Sequence, residues 1–172
     1  MHAPERGARS DGPPPTATAV ERYLHQKIPI SAGMGVRVRL ATPERVDLWL
    51  PLQPNINHEQ TVFGGSAAAA ATLAAWTLLH LRLTQAGSHA QLVVQRTTMQ
   101  YTKPLYGDFE ATCTFSDSEA WGRFRRTLER RGKARLAMTA QLLGGSAEWG
   151  AGPSGGPCAA FAGDFVALRN GN

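Results

Sequence analysis

Between Ser66 and Ala86 almost every position is apolar, from the unbroken run Ala67 to Ala71 through Leu73, Trp76, Leu78, Leu79 and Leu81. Gly87 follows where a helix would end. Alanine and leucine are strong helix formers, and glycine just past the last turn is a common stop. A helix with one apolar stripe lies on a surface, whereas one that is apolar all round is buried on several sides. His80 and Arg82, together with the dominance of alanine, argue against a membrane span. A single enclosed helix needs something that wraps it, and sheet-forming sequence stands on both sides of this one. The segment therefore predicts a curled sheet around one long central helix. Its alanines would let the sheet approach closely, with Trp76 and the leucines supplying bulk toward the far end.

The flanking patterns supply that sheet. A short first helix is expected from Val20, Tyr23, Leu24 and Ile28, with Thr18 and Glu21 at capping-box spacing and Pro29 as the stop. Met34, Val36, Val38 and Leu40 alternate with polar residues, Thr42-Pro43-Glu44 turns the chain, and Val46, Leu48 and Leu50 alternate back. After the long helix, strands are expected over 91–101, over 109–115 with Phe109, Ala111, Cys113 and Phe115 on one face, over 133–143, and over 161–168. Trp121, Phe124 and Leu128 fall at helical spacing, so 118–131 reads as a helical insertion. Residues 144–157 read as a flexible glycine-rich connection. The class is thus α+β, an antiparallel sheet of about six strands around one helix. Residues 17–172 make a single domain, and 1–16, with Pro13-Pro14-Pro15 and no apolar core region, make a disordered tail and no secretory signal.

Charge and cysteine content narrow the function. The chain has 172 residues and a net charge of +5. The stretch 123–135 holds seven basic residues against the single acid Glu129, so the remainder is slightly acidic. A nucleic-acid coat would be basic throughout; here the charge is one patch. Cys113 and Cys158 belong to no spaced metal motif, so neither zinc nor any cofactor is expected, and free cysteines fit a reducing cytoplasm.

The chemistry is concentrated in Pro54-Asn55-Ile56-Asn57-His58-Glu59-Gln60-Thr61-Val62-Phe63-Gly64-Gly65-Ser66, a loop that runs into the long helix. Two glycines at a helix start let a ligand approach bare backbone. First-turn N–H groups have no partner within the helix and sit at the positive end of its dipole. A carbonyl placed there would be polarised, and the oxyanion formed on attack would gain more than the ground state. The same glycines also suit tight packing that tolerates no side chain, and both readings stay open.

The run Leu52 to Asn57, then Thr61-Val62-Phe63-Gly64-Gly65-Ser66, then Thr72-Leu73-Ala74-Ala75-Trp76, resembles the hot-dog, thioesterase-like family typified by the YiiD C-terminal domain. Tyr101-Thr102-Lys103-Pro104, Gly107-Asp108-Phe109, Gly132-Lys133-Ala134-Arg135 and the run Phe161 to Leu168 extend the likeness over most of 20–168. The resemblance implies a hot-dog fold and activity on acyl thioesters. Related phenylacetyl-CoA thioesterases carry a histidine just before the Gly-Gly pair and an aspartate seven residues after it. This chain has Phe63 and Thr72 there. His58 and Gln60 also stand where the family's loop has an acidic residue and a glycine.

In the resulting scheme Gly65 and Ser66 hold the thioester oxygen, and Asn57 orients the thioester or the attacking water. Thr72 positions that water, and Glu59 is the nearby carboxylate available as general base. Each has a bland counterpart: Asn57 a turn residue, Thr72 a hydroxyl satisfied by its own helix, Glu59 a solvated charge. Arg126, Arg130, Lys103 and Lys133 are the candidates for holding coenzyme A phosphates or an acidic acyl carrier protein, with a solvated helix face as the alternative. Exposed sheet edges call for a homodimer or a dimer of dimers. A hydrolase of acyl-CoA or acyl carrier thioesters, a non-hydrolytic module binding an acyl carrier or polyketide-like ligand, and a hydroxyacyl dehydratase are the competing functions. The dehydratase ranks last, because His58 and Glu59 would point apart in an extended loop.

Overall fold

The alanine-rich segment forms a helix over Gly64–Gln85 that packs against five strands of a six-stranded antiparallel sheet. The computed structural model describes residues 15–144 and 156–169. In chain order its elements are α1 (Ala17–Lys27), the one-turn α2 (Ile30–Gly33), β1 (Arg37–Ala41), β2 (Arg45–Leu50), α3 (Gly64–Gln85), β3 (Gln91–Tyr101), β4 (Phe109–Thr114), α4 (Ser118–Arg131), β5 (Lys133–Gly144) and β6 (Pro157–Leu168). This is the hot-dog arrangement, a sheet wrapped around one central helix.

Alanine makes the close approach possible. Ala67, Ala70, Ala71, Ala74 and Ala75 are all buried on α3, as are Leu78 and Leu79. They meet the inward-facing rows Val46, Leu48 and Leu50 of β2, Phe109, Ala111 and Cys113 of β4, Leu136, Met138, Ala140 and Leu142 of β5, and Phe161 and Phe165 of β6. Each large aliphatic residue so buried contributes about 1.5–3 kcal/mol, and truncating one such as Leu78 to alanine would cost about 2–5 kcal/mol. The helix stops at Gly87, in the left-handed region at φ 69°. There the N–H groups of Gly87 and Ser88 close on the carbonyls of Thr84 and Leu83 at 2.9 Å each.

The strand order β1-β2-β4-β5-β6-β3 leaves β1 and β3 as edges. The β3 edge is eleven residues long, carries a register shift between Val94 and Arg96, and leaves Val93, Val94 and Tyr101 exposed. Register fixes which ends of the sheet coincide. Gln91 of β3 and Lys133 of β5 both pair with Leu168, while Tyr101 and Leu142 both pair with Ala159. The insertion α4 is capped by the Asp117 carboxylate on the Ala120 N–H at 2.8 Å and ended by left-handed Gly132. It lies at the C-terminal end of α3, where the Arg82 guanidinium sits between the rings of Phe115 and Trp121, 4.8 and 4.7 Å from their centres.

Several expected boundaries move. Thr16, rather than Thr18, caps α1, its hydroxyl accepting from Ala19 N–H at 3.2 Å. Glu21 is engaged elsewhere, accepting from the Val38 N–H at 2.9 Å and so tying α1 to β1. Met34 and Val36 precede β1 instead of opening it, because α2 inserts a turn after Pro29. β6 begins at Pro157, four residues before the expected Phe161. Of the supposed glycine-rich connection, residues 145–155 lie outside the described residues, as do 1–14 of the supposed tail. On β4 the outward residue Glu110 is also buried, 3% exposed, and pairs with Arg39. No helix among the described residues is long and apolar enough to cross a membrane.

Candidate active site at the start of the central helix

The loop before α3 is held from several sides, and this fixes where the helix begins. Residues 53–55 make a 3-10 turn, and Asn55 is buried, its side-chain amide donating to the carbonyls of Met34 at 2.9 Å and Pro51 at 2.8 Å. Leu52 N–H donates to the Asp108 carboxylate at 2.8 Å. Val62 N–H donates to the Leu105 carbonyl at 3.0 Å, and Phe63 N–H to the Asn55 carbonyl at 2.7 Å. The first backbone bond of the helix runs from Ala67 N–H to the Phe63 carbonyl. The N–H groups of Gly64, Gly65 and Ser66 precede it and point out of the helix end. The helix begins two residues before the expected Ser66, so both glycines belong to its first turn.

Two aromatic rings flank those glycines, and sequence reasoning missed both roles. The Phe63 ring folds back over Gly65, where a Cβ would collide with it. The Tyr101 hydroxyl, reaching from the end of β3, donates to the Gly64 carbonyl at 2.7 Å. Neither glycine has a positive φ; at Gly65 close approach is what the missing side chain allows, whereas a Cβ on Gly64 would meet the Tyr101 phenol at ordinary contact distance. The open groove beside them has a volume near 350 Å³ and is lined by Val62, Gly64, Ala67, Tyr101, Lys103 and Leu105, with Thr102 and Pro104 completing it. It is mainly apolar, with a phenol, an ammonium and the helix start as its polar features. Burial pushes the Tyr101 phenol pKa above its usual value of 10.0, so at neutral pH it remains a donor.

The other predicted site residues are placed as follows. Asn57 is occupied by its own loop: its side-chain oxygen accepts from the N–H of Glu59 at 2.9 Å and of Thr61 at 3.1 Å, and its amide donates to the Thr61 hydroxyl at 2.9 Å. The Thr72 hydroxyl donates to the Ala68 carbonyl at 2.8 Å, leaving only its lone pairs for a water. Ser66 is half-buried beside the glycines. Glu59 stands at the loop tip, where its carboxylate meets His58 at 3.2 Å, both side chains well exposed at 73% and 86%. The turn at Gln60, left-handed at φ 61°, gathers this loop, so the expectation that His58 and Glu59 point apart is wrong.

The cations divide into two groups. Lys103 lines the groove. Arg126 and Arg130 are exposed on α4, and Lys133 begins β5, all toward the C-terminal end of α3. A helix of 22 residues spans about 33 Å at 1.5 Å per residue, so within one chain these cations stand far from Gly65. Arg123 and Arg125 are paired along α4 with Glu119 and Glu129. No group of three His, Cys, Asp or Glu able to hold a metal is found among the described residues. Cys113 is buried against the Thr139 carbonyl, its thiol pushed up to about 12 by burial, which makes it a core residue and no nucleophile.

Comparison with known proteins bears on this geometry. Residues 17–169 match the family described as "Putative thioesterase (yiiD_Cterm)". A crystal structure of a protein of unknown function from Chlorobaculum tepidum is 31% identical, with a TM-score of 0.80 over 90% of this chain and 94% of that one. A second, described as a putative thioesterase from Shewanella oneidensis, is 24% identical, with a TM-score of 0.74 over 89% and 97% of the two chains, and supports the fold alone. Because the family match spans nearly all the described residues, the chain belongs to the YiiD C-terminal family, whose description is "Putative thioesterase".

Proposed function

We propose that the protein hydrolyses acyl thioesters at the start of α3. The observation that carries this reading is the mainly apolar groove beside the helix start, lined by Gly64, where the N–H groups of Gly64, Gly65 and Ser66 precede the first hydrogen bond of that helix found among the described residues. The acyl group lies along Val62, Ala67 and Leu105, and the thioester oxygen accepts from Gly65 and Ser66 N–H. Water adds to the carbonyl carbon, and the tetrahedral oxyanion strengthens those two bonds before the thiolate leaves. Thr72 offers its lone pairs to the attacking water. Glu59 takes the proton through intervening water, since its carboxylate lies at the loop tip. Asn57 serves by holding the loop rather than by touching substrate.

Two copies joined through antiparallel β3 edges would complete the site. Such pairing sets the Gln91 end of one β3 beside the Tyr101 end of the other, and the cationic end of each sheet follows Gln91. Arg126, Arg130 and Lys133 of one copy would then stand toward the groove of the other, positioned with Lys103 for the phosphates of coenzyme A or an acidic carrier protein. Exposed Val93, Val94 and Tyr101 on this edge favour such a homodimer. Substrates of this kind, like the free cysteines, suit a cytoplasmic setting.

The experiment is thiol release from a series of acyl-CoA thioesters, run with wild type and with the Arg126→Glu/Arg130→Glu variant. Release by wild type, with KM raised in the variant far more than kcat is lowered and salt mimicking the change, supports both parts. A non-hydrolytic module is the second reading, favoured by the Thr72 hydroxyl standing where related enzymes place a carboxylate. Binding without thiol release would establish it instead.

A further inference from the structure

We infer that Tyr101 is a positioning residue that strengthens the Gly65 N–H as a donor, acting through the peptide group that joins Gly64 to Gly65. The Gly64 carbonyl and the Gly65 N–H are the two ends of one amide. A hydrogen bond accepted by the oxygen draws electron density toward it, deepens the C–N double-bond character, and leaves the N–H more positive. The phenol of Tyr101 donates to that oxygen at 2.7 Å, a short and well-formed bond. The N–H at the other end lies before the first intrahelical bond of α3 and faces outward. Hydrogen bonds in series polarise one another, each gaining about 10–30% in strength.

The arrangement has little other explanation. Tyr101 is the last residue of an edge strand and its side chain is 52% exposed, so its ring contributes only part of its area to packing. The helix does not need the phenol to satisfy a backbone orphan, because the Gly64 carbonyl lies at the N-terminal end, where it is the N–H groups that lack partners. A Cβ on Gly64 would stand 3.4 Å from the phenol oxygen, an ordinary contact. Tyr101 and Lys103 also line the groove that would receive the substrate, so the tyrosine reaches the helix start along the substrate's own path.

The catalytic consequence rests on the hydrolase reading above, whereas the polarisation of the peptide does not, and the test separates the two. Tyr101→Phe keeps the ring and removes the donor. In the full-length protein labelled with nitrogen-15, the Gly65 amide proton should move upfield in the variant, while amides in the middle of α3 stay in place. With the best-cleaved member of a series from acetyl-CoA to palmitoyl-CoA, kcat should fall about 2–8-fold, the stated 10–30% applied to a donor worth about 10²–10³ in rate. KM and the melting temperature should hardly change, a split that a merely structural tyrosine would not give. An unmoved Gly65 amide overturns the inference whether or not activity changes. A moved amide with unchanged kcat overturns its catalytic half. If wild type cleaves none of the series, the hydrolase reading fails, and the amide shift alone then decides whether the phenol polarises the peptide.

Discussion

The ring of Phe63 fills the space that a side chain on Gly65 would need: a Cβ there would stand 3.0 Å from both Cδ1 and Cζ of the ring. The ring is itself 57% exposed, so it is a movable obstacle and not a packed wall. In a Phe63→Ala background, Gly65→Ala should therefore act as an ordinary glycine replacement in a helix and stabilise the fold by about 0.5–1 kcal/mol. In the wild-type background the ring must move, and the gain should shrink or reverse. A double-mutant cycle by chemical denaturation reads the difference, and a coupling of zero contradicts the contact.

The Asn57 side chain makes three hydrogen bonds within its loop, to Glu59 and Thr61. Replacing it with alanine should cost about 1–3 kcal/mol of stability, with activity falling alongside as the loop before Phe63 loosens. Asn57→Asp keeps the acceptor for both N–H groups and should recover most of the loss. Thermal melts of the two variants next to their kinetics make the check. A collapse of kcat in Asn57→Ala with stability intact would instead put the side chain on the substrate.

Among the described residues, Gln60 is the one without glycine's freedom that holds a left-handed backbone, at φ 61°. That conformation costs an L-residue about 1–2 kcal/mol, of which glycine's greater unfolded entropy would give back about 0.5–1 kcal/mol. Gln60→Gly should therefore stabilise the protein modestly, by about 0.5–1 kcal/mol in urea unfolding. A loss of stability would mean that the glutamine side chain makes a contribution larger than the strain.

What the sequence disclosed, and what it hid, follows the range of the interactions. α4 was legible because its signal is local: Trp121, Phe124 and Leu128 recur at helical spacing. α3 was recognisable because alanine on every side has no use except in an enclosed helix. The capping-box spacing of Thr18 and Glu21 misled because Glu21 answers to Val38, seventeen residues away. The same limit hid the two rings at the glycine pair. A glycine doublet says that something comes close, yet the Tyr101 contact spans 37 residues and exists only because β3 ends beside α3. Likewise Lys103 and Lys133 look equivalent in sequence, and only the strand register shows that they lie at opposite ends of the sheet.

The claim on which the whole account turns is that the Gly65 N–H stabilises the oxyanion, and replacing the peptide bond between Gly64 and Gly65 with an ester tests it most directly. The exchange deletes that N–H and adds no atom to the groove. It deletes no helical hydrogen bond, since the ladder of α3 starts at Ala67, while the Gly64 carbonyl, now an ester's, accepts more weakly from Tyr101. The account predicts kcat for acyl-CoA hydrolysis lower by about 10²–10³, with KM and the circular dichroism spectrum close to wild type. A kcat within a factor of about two of wild type would contradict it, because a donor of this kind cannot be removed from the transition state so cheaply.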